Sequence, residues 1–90
     1  MAIAMTFDGP GVSQAQYDQV RKEVSPDNKR PAGMLYHVGG PTKTGWRVTE
    51  VWESQEAADR FFKQTLGESL KKAAITFEPQ FSQVHNIMTA

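Results

Sequence analysis

The sequence contains no cysteine, which excludes disulfide bonds, thiolate metal ligands and cysteine nucleophiles together. A chain without cysteine suits a reducing compartment, so we expect a cytoplasmic protein. The sequence also lacks an apolar run of the ~20 residues that a membrane-spanning helix needs. The apolar start MAIAMTF is short, has no basic residue and soon meets Asp8, so we expect neither a signal peptide nor a membrane partner.

An excess of charge of one sign is missing as well. Ten basic residues balance ten acidic ones, and no block of like charge occurs, which disfavours nucleic acid as a partner. The stretches DGPG and GGPTKTG have neither the Lys-Ser/Thr ending nor the G-x-G-x-x-G spacing of a phosphate-binding loop. Two scattered histidines are too few for a metal site. We therefore expect neither a cofactor nor a bound metal.

The length of 90 residues predicts a single domain over residues 1–90. A chain this short buries only about 60% of the surface that its unfolded form exposes, so its one core is marginal. Association with a second copy would bury more apolar surface, and we therefore expect a homodimer.

The most informative stretch is a predicted strand that leads directly into a helix, GWRVTEVWESQEAADRFFKQTL at residues 45–66. One side of the extended part carries Trp46, Val48, Glu50 and Trp52. Ser54 stands at the N-cap position, where its hydroxyl can accept a hydrogen bond from a free backbone N–H of the first turn. Apolar residues then recur at helical spacing, so this unit needs the rest of the chain to cover its apolar side.

The remaining elements complete the order β-α-β-β-α-β. Residues 2–7 alternate as a strand does before DGPG ends it, and Ser13 with Gln16 has the form of a capping box that opens a helix. Residues 34–38 form a second strand, with Met34 on the face of Tyr36, and a hairpin joins it to the third. Residues 81–88 are predicted to form the last strand. This order predicts a ferredoxin-like α+β fold, with a four-stranded antiparallel sheet and two helices on one face.

The motif VWESQEAADRFF after the strand WRVTE resembles the dimeric α/β-barrel superfamily, as do the opening AIAMTFDGPGVSQAQYDQV and the hairpin LYHVGGPTKTGWRV. That superfamily includes the antibiotic-biosynthesis-type monooxygenases and many small uncharacterised bacterial proteins. The resemblance implies that two copies pack sheet against sheet as a barrel, with one pocket per subunit, either between the sheet and its helices or within the barrel. Members that oxidise aromatic polyketides without a cofactor are similar to this chain at the Trp of the W-E-S motif, here Trp52.

Three residues are candidates for acid/base catalysis, namely His37, His85 and Glu50. Histidine titrates near neutral pH, so it suits proton transfer, although either histidine could equally be structural at a sheet end or a dimer interface. Glu50 lies on the tryptophan row of its strand, where burial would make its carboxylate a stronger base. The alternative for Glu50 is a partnered or partly solvated structural glutamate, for example one paired with an arginine across the sheet.

Four residues are candidates for substrate binding, namely Trp46, Trp52, Tyr36 and Asn86. The two tryptophans could form a flat wall for an aromatic or polyketide-like ligand, since pockets are mostly apolar with a few placed polar groups. Their alternative is the core or a dimer interface. Tyr36 and Asn86 could add a hydroxyl and an amide, whereas Tyr17 is predicted as ordinary core between helix and sheet.

Three functions remain open at this point. The first is a small cofactor-independent enzyme of the monooxygenase, cyclase or isomerase type, which acts on an aromatic or polyketide-like molecule by acid/base chemistry. The second is a non-catalytic dimer that binds a small molecule or serves as a stress-related accessory protein. The third is a structural module whose sheet face is filled by side chains. A cavity of about 300 Å³ or more on the sheet face would separate the third from the others.

Overall fold

The computed structural model describes residues 1–89 and has the predicted order of elements. The strands are β1 (Ile3–Pro10), β2 (Met34–Pro41), β3 (Gly45–Trp52) and β4 (Gln80–Gln83). The helical elements are α1 (Gln14–Val24), α2 (Gln55–Phe61), a π-helical turn (Phe62–Leu66) and α3 (Gly67–Lys72). The last three follow one another directly and form one continuous second helix. Within residues 1–89, no helix is long and apolar enough to cross a membrane.

The four strands form one antiparallel sheet in the order β2-β3-β1-β4. β3 pairs along its whole length with β1, from Gly45 opposite Pro10 to Trp52 opposite Ile3. Buried residues alternate along β1 and β3, and both helices pack on the side that those residues share. This arrangement confirms the ferredoxin-like α+β fold, with the helices on one face of the sheet.

Both helices begin where the sequence predicts. Ser13 accepts a hydrogen bond from the backbone N–H of Gln16, whose side chain accepts one from the backbone N–H of Ser13, so the capping box is complete. Ser54 caps α2 by accepting from the backbone N–H of Ala57. A cap of this kind contributes typically about 1 kcal/mol. These local contacts therefore stabilise the first turns that approach the sheet.

Trp52 is the centre of the core. Its side chain is fully buried, and its ring centroid lies 5.4 Å from that of Phe61 and 6.4 Å from that of Phe62. A second cluster, farther along the same sheet face, contains Met5, Phe7, Trp46 and Val48. Glu50 lies between the two clusters in β3, and it is a buried charged residue in an otherwise apolar row. The core therefore surrounds a carboxylate.

Three strand ends differ from the predictions, because pairing decides where a strand stops. β2 ends at Pro41 instead of residue 38, since Pro41 still lies opposite Trp46. β4 ends at Gln83 instead of residue 88, because Gln83 already pairs with Ile3, the first residue of β1. One backbone hydrogen bond continues the pairing, from the N–H of Val84 to the carbonyl of Ala2. β1 instead continues past the predicted end at residue 7 as far as Pro10, because β3 supplies partners along that length.

An irregularity at Leu35 changes the faces of β2. The register moves from Met34 opposite Trp52 to Tyr36 opposite Val51, as expected when a β-bulge inserts one residue. Met34 therefore shares the helix-covered face with His37, while Tyr36 lies on the open face. The prediction that Met34 and Tyr36 share a face is wrong, because strict alternation does not hold across the extra residue.

Candidate active site

Four side chains form a continuous hydrogen-bonded chain on the helix-covered face of the sheet. The hydroxyl of Tyr17 lies 2.6 Å from Nε2 of His37. On the other side of the imidazole, Nδ1 lies 2.7 Å from Oε2 of Glu50. The indole N–H of Trp52 donates to Oε1 of the same carboxylate at 2.9 Å. A proton can therefore pass between the phenol and the imidazole while the carboxylate stays fixed.

The pairing of β2 with β3 brings the imidazole to the carboxylate. His37 lies directly opposite Glu50, and Trp52 follows two residues later on the same face of β3. Side chains alternate along a regular strand, so Met34 and His37 could not share a face without the extra residue at Leu35. The bulge is therefore what directs His37 toward the helices.

The ring of Tyr17 packs directly over Gly39 of β2, and this position brings its hydroxyl to His37. A Cβ at Gly39 would lie only 2.8 Å from atoms of the Tyr17 ring, closer than a real side chain can approach. The ring lies between two neighbours, with centroid distances of 6.0 Å to His37 and 5.1 Å to Trp46. The missing side chain of Gly39 therefore makes the space in which the phenol contacts the imidazole.

The carboxylate of Glu50 is deeply buried, since 6% of its side chain is exposed against 32% for His37. A carboxylate taken out of water is costly unless its oxygens are hydrogen-bonded. Here Trp52 occupies one oxygen and His37 the other. A buried oxygen left without its partner costs about 1–3 kcal/mol or more. The pair therefore holds the imidazole in one orientation, with Nδ1 inward and Nε2 toward Tyr17.

The phenol of Tyr17 is a proton donor at neutral pH. Burial raises the pKa of Tyr17 above its ordinary value of 10.0, the charge of Glu50 raises it further, and Arg21 opposes these effects. When His37 is neutral with its proton on Nδ1, Nε2 accepts from the phenol. When the imidazole gains a second proton, Nε2 donates to the phenol oxygen, and the phenol O–H can turn to other acceptors.

A cavity of about 420 Å³ lies between the sheet and the helices, and Tyr17, His37 and Glu50 contribute to its lining. This volume lies within the range of about 300–1,000 Å³ that is usual for ligand pockets. The apolar part of the wall includes Met5, Phe7, Val48 and Phe77. A sheet face filled by its own side chains is therefore not what the structure shows, and the cavity disfavours a purely structural module.

The structure brings together two of the three residues predicted for catalysis. His37 and Glu50 bond to each other at the cavity. His85 lies in an exposed segment after β4 and is absent from the described residues that line the cavity. The two histidines therefore do not share this site. Among residues 1–89, no three side chains of the metal-ligating types cluster together.

The four residues predicted for substrate binding have different positions. Trp46 lines the cavity, whereas Trp52 is fully buried and contacts the Glu50 carboxylate instead of open space. Tyr36 borders the cavity, although its register places it on the open face of the sheet. Asn86 lies in the exposed segment after β4.

Among the four hydrogen-bonded side chains, Tyr17 is the one that the sequence predicted as ordinary core. Its position on the buried side of α1 is as predicted, but its hydroxyl bonds to His37. A buried tyrosine needs a partner for its hydroxyl, and this need was the one available signal. Arg21, one helical turn later, also lines the cavity and carried no separate signal.

Solved structures have the same fold as this chain. A proposed antibiotic biosynthesis monooxygenase from Chloroflexus aurantiacus gives a TM-score of 0.74 at 14% identity, over 99% of this chain and 98% of that one. A proposed antibiotic biosynthesis monooxygenase from Deinococcus radiodurans gives 0.67 at 14% identity, over 100% and 98% of the two chains. SnoaB from Streptomyces nogalater, a cofactor-independent oxygenase, gives 0.64 at 15% identity, over 99% and 96%.

These likenesses confirm the ferredoxin-like fold of the single chain. The sequence matches no protein-family model and no curated protein. A shared fold at this level of identity supports many different functions. The activity of this chain therefore has to be argued from its own side chains.

Gly39→Ala should separate Tyr17 from His37, because the new methyl group would occupy the space of the phenol ring. NMR of the histidine ring nitrogens should then show a shifted Nε2 resonance. Gly40→Ala is the matched control, since a Cβ at Gly40 would meet no described atom within 4 Å. An unchanged Nε2 resonance in Gly39→Ala would contradict this account of how the phenol is positioned.

The raised pKa of Tyr17 predicts a loss of stability at high pH. The folded state holds the phenol proton more tightly than the unfolded chain, so this stabilisation is complete below the ordinary pKa of 10.0 and is lost as the pH rises through the folded value. Tyr17→Phe lacks the group, and its free energy of unfolding should fall less steeply over the same range. Urea denaturation at pH values from about 8 to 11 measures both slopes. Parallel slopes would refute the prediction.

Proposed function

We propose that the protein is a cofactor-independent enzyme of the monooxygenase, cyclase or isomerase type, which transfers protons on an aromatic or polyketide-like small molecule. The observation that carries this proposal is the series of hydrogen bonds from Tyr17 through His37 to Glu50, which lies beside a largely apolar cavity. It combines a phenolic proton donor, an imidazole that can accept a proton and an orienting carboxylate, as acid/base sites require. The cofactor-independent oxygenase SnoaB has the same fold, which supports this class of enzyme.

The proposed first step is the removal of a proton from a substrate C–H beside a carbonyl group or from a phenolic O–H. The phenol oxygen of Tyr17 takes this proton as its own proton passes to Nε2 of His37. The phenol is thereby restored, the imidazole becomes an imidazolium and the substrate becomes an anion. Since burial makes a free phenolate costly, the two transfers occur together.

Glu50 acts as a positioning residue in this scheme. Its carboxylate faces Nδ1, so it stabilises the imidazolium that forms and keeps Nε2 aimed at the phenol. The substrate anion then has three outcomes. It can regain the proton at another atom, attack a carbonyl group within the same molecule, or react with dioxygen, and these outcomes correspond to isomerisation, cyclisation and oxygenation.

The open face of the sheet supports a homodimer, which we propose as the working form. Tyr36 is 52% exposed and Val38 is 47% exposed there, next to Val51 of the neighbouring strand. An apolar surface on a sheet face usually marks an interface. A second copy that packs its own sheet against these residues would form the barrel that the sequence resemblance implied.

His37→Gln should lower the rate of proton transfer by about 10²- to 10⁴-fold, the usual contribution of a general acid or base. The probe is 2-tetralone, whose C1 hydrogens are acidified by the adjacent carbonyl group. Its deuterium uptake above the buffer rate is followed by proton NMR. Tyr17→Phe and Glu50→Gln should also slow the reaction, because each disrupts a different hydrogen bond to His37.

The matched comparison is His85→Gln, which should retain the wild-type rate because His85 lies in an exposed segment outside the cavity. Circular dichroism should show that all four variants fold. Wild-type protein that does not accelerate the exchange, or a His37→Gln variant with full activity, would contradict the enzyme and favour a small-molecule-binding protein.

Val38→Glu should dissociate the proposed dimer, because it places a charge among the apolar side chains proposed for the interface. Light scattering at micromolar concentration should give twice the chain mass for the wild type and the chain mass for the variant. Lys63→Glu, exposed in the π-helical turn, is the matched control and should remain dimeric. A monomeric wild type would refute the dimer.

A further inference from the structure

The polar groups that line the cavity are mainly hydrogen-bond donors. Glu50 is the one acidic side chain among the described lining residues, and Trp52 and His37 already engage its two oxygens. The hydroxyl of Tyr17 can turn its proton to the cavity when the imidazole is protonated. The buried indole N–H of Trp46 has no hydrogen-bond partner within residues 1–89. A ligand that suits this lining must therefore supply acceptors.

Three cations also line the cavity, namely Arg21 in the last turn of α1 and Lys29 and Arg30 in the loop before β2. Arg21 donates to the backbone carbonyl of Ser25 at 3.2 Å, and Arg30 donates to that of Leu35 at 3.1 Å. Neither guanidinium forms an ion pair with a carboxylate in the part of the chain that the structure describes. Their charges are therefore held in place without being neutralised.

The third cation adds to this positive end of the cavity. Lys29 approaches Asp27 at 3.9 Å, but both side chains are mostly exposed, and such pairs are weak. Arg21 follows Tyr17 by one helical turn, and its positive charge acts against the rise in the pKa of Tyr17. A negative group bound at this end would thus lie near the hydroxyl that transfers the proton.

We infer that the cavity binds an aromatic or polyketide-like carboxylic acid, with its carboxylate at Arg21 and Arg30 and its reacting C–H or O–H group at Tyr17. This inference rests on the proposed function and adds the charge of the substrate to it. Guanidinium groups match the two oxygens of a carboxylate with paired hydrogen bonds. The apolar side chains of the lining accept the carbon framework, and two-point binding holds the reacting atom at the phenol.

The test compares two probes in titration calorimetry of the full chain. They are 6-hydroxy-2-naphthoate and 6-hydroxy-2-naphthamide, which share the ring and the hydroxyl and differ in charge. The naphthoate should bind about tenfold more tightly at low salt, as expected for charge-assisted hydrogen bonds. The ratio of the two affinities should fall at about 0.5 M salt, where the charges are strongly screened. This salt dependence tests the inference in the wild type, without any variant.

Replacement of the two guanidinium groups provides the second measurement. Arg21→Gln combined with Arg30→Gln should reduce the preference to about twofold or less, since the remaining cation, Lys29, already lies 3.9 Å from the carboxylate of Asp27 and has no guanidinium fork. Lys22→Gln is the matched control, because Lys22 is the exposed neighbour of Arg21 and is absent from the described lining. Equal affinity of the wild type for the two probes would overturn the inference, as would a naphthoate that does not bind at millimolar concentration.

His37→Gln distinguishes a failure of this inference from a failure of the proposed function. That variant should lose deuterium exchange on neutral 2-tetralone and keep the preference for the naphthoate, because the cations are intact. If the wild type shows the preference without exchange, the proposed catalysis is wrong and the ligand class stands. If it shows exchange without the preference, the ligand class is wrong and the catalysis stands.

Discussion

The buried carboxylate of Glu50 is the constraint on which the site depends. A carboxylate that is almost fully removed from water needs a partner for each oxygen, and this chain supplies Trp52 from the core and His37 from the neighbouring strand. Trp52 is also the most deeply buried large side chain of the molecule's described part. One carboxylate therefore connects the centre of the core to the imidazole that it orients.

Two features of β2 place the His37–Glu50 pair beside the cavity and within reach of Tyr17. The bulge at Leu35 turns His37 toward the helices, and the missing side chain of Gly39 admits the ring of Tyr17 from α1. A regular strand with ordinary side chains would have placed the imidazole on the open face and kept the helix away from it. The backbone of β2, rather than a special set of reactive residues, therefore brings the phenol and the imidazole together beside the cavity.

The cavity is lined by three chemically different kinds of side chain. These side chains, and not the fold, are specific to this protein. The Tyr17–His37 pair can move a proton, Arg21 and Arg30 carry unneutralised positive charge, and apolar side chains make up much of the rest. Structures with the same fold include proposed antibiotic biosynthesis monooxygenases and a cofactor-independent oxygenase. Since a common scaffold serves many reactions, the lining residues decide which substrate binds here.

The sequence by itself determined the element order, the helix starts at Ser13 and Ser54 and the apolar row of β3, because alternation and capping are local properties. It also identified His37 and Glu50 as reactive candidates by residue type. It could not place the end of β4, which depends on where its partner β1 begins. Only the tertiary structure decided that Tyr17 contacts His37 and that His85 does not. The Tyr17–His37 contact depends on a bulge and a glycine in β2 and on a helical residue 20 positions before the histidine.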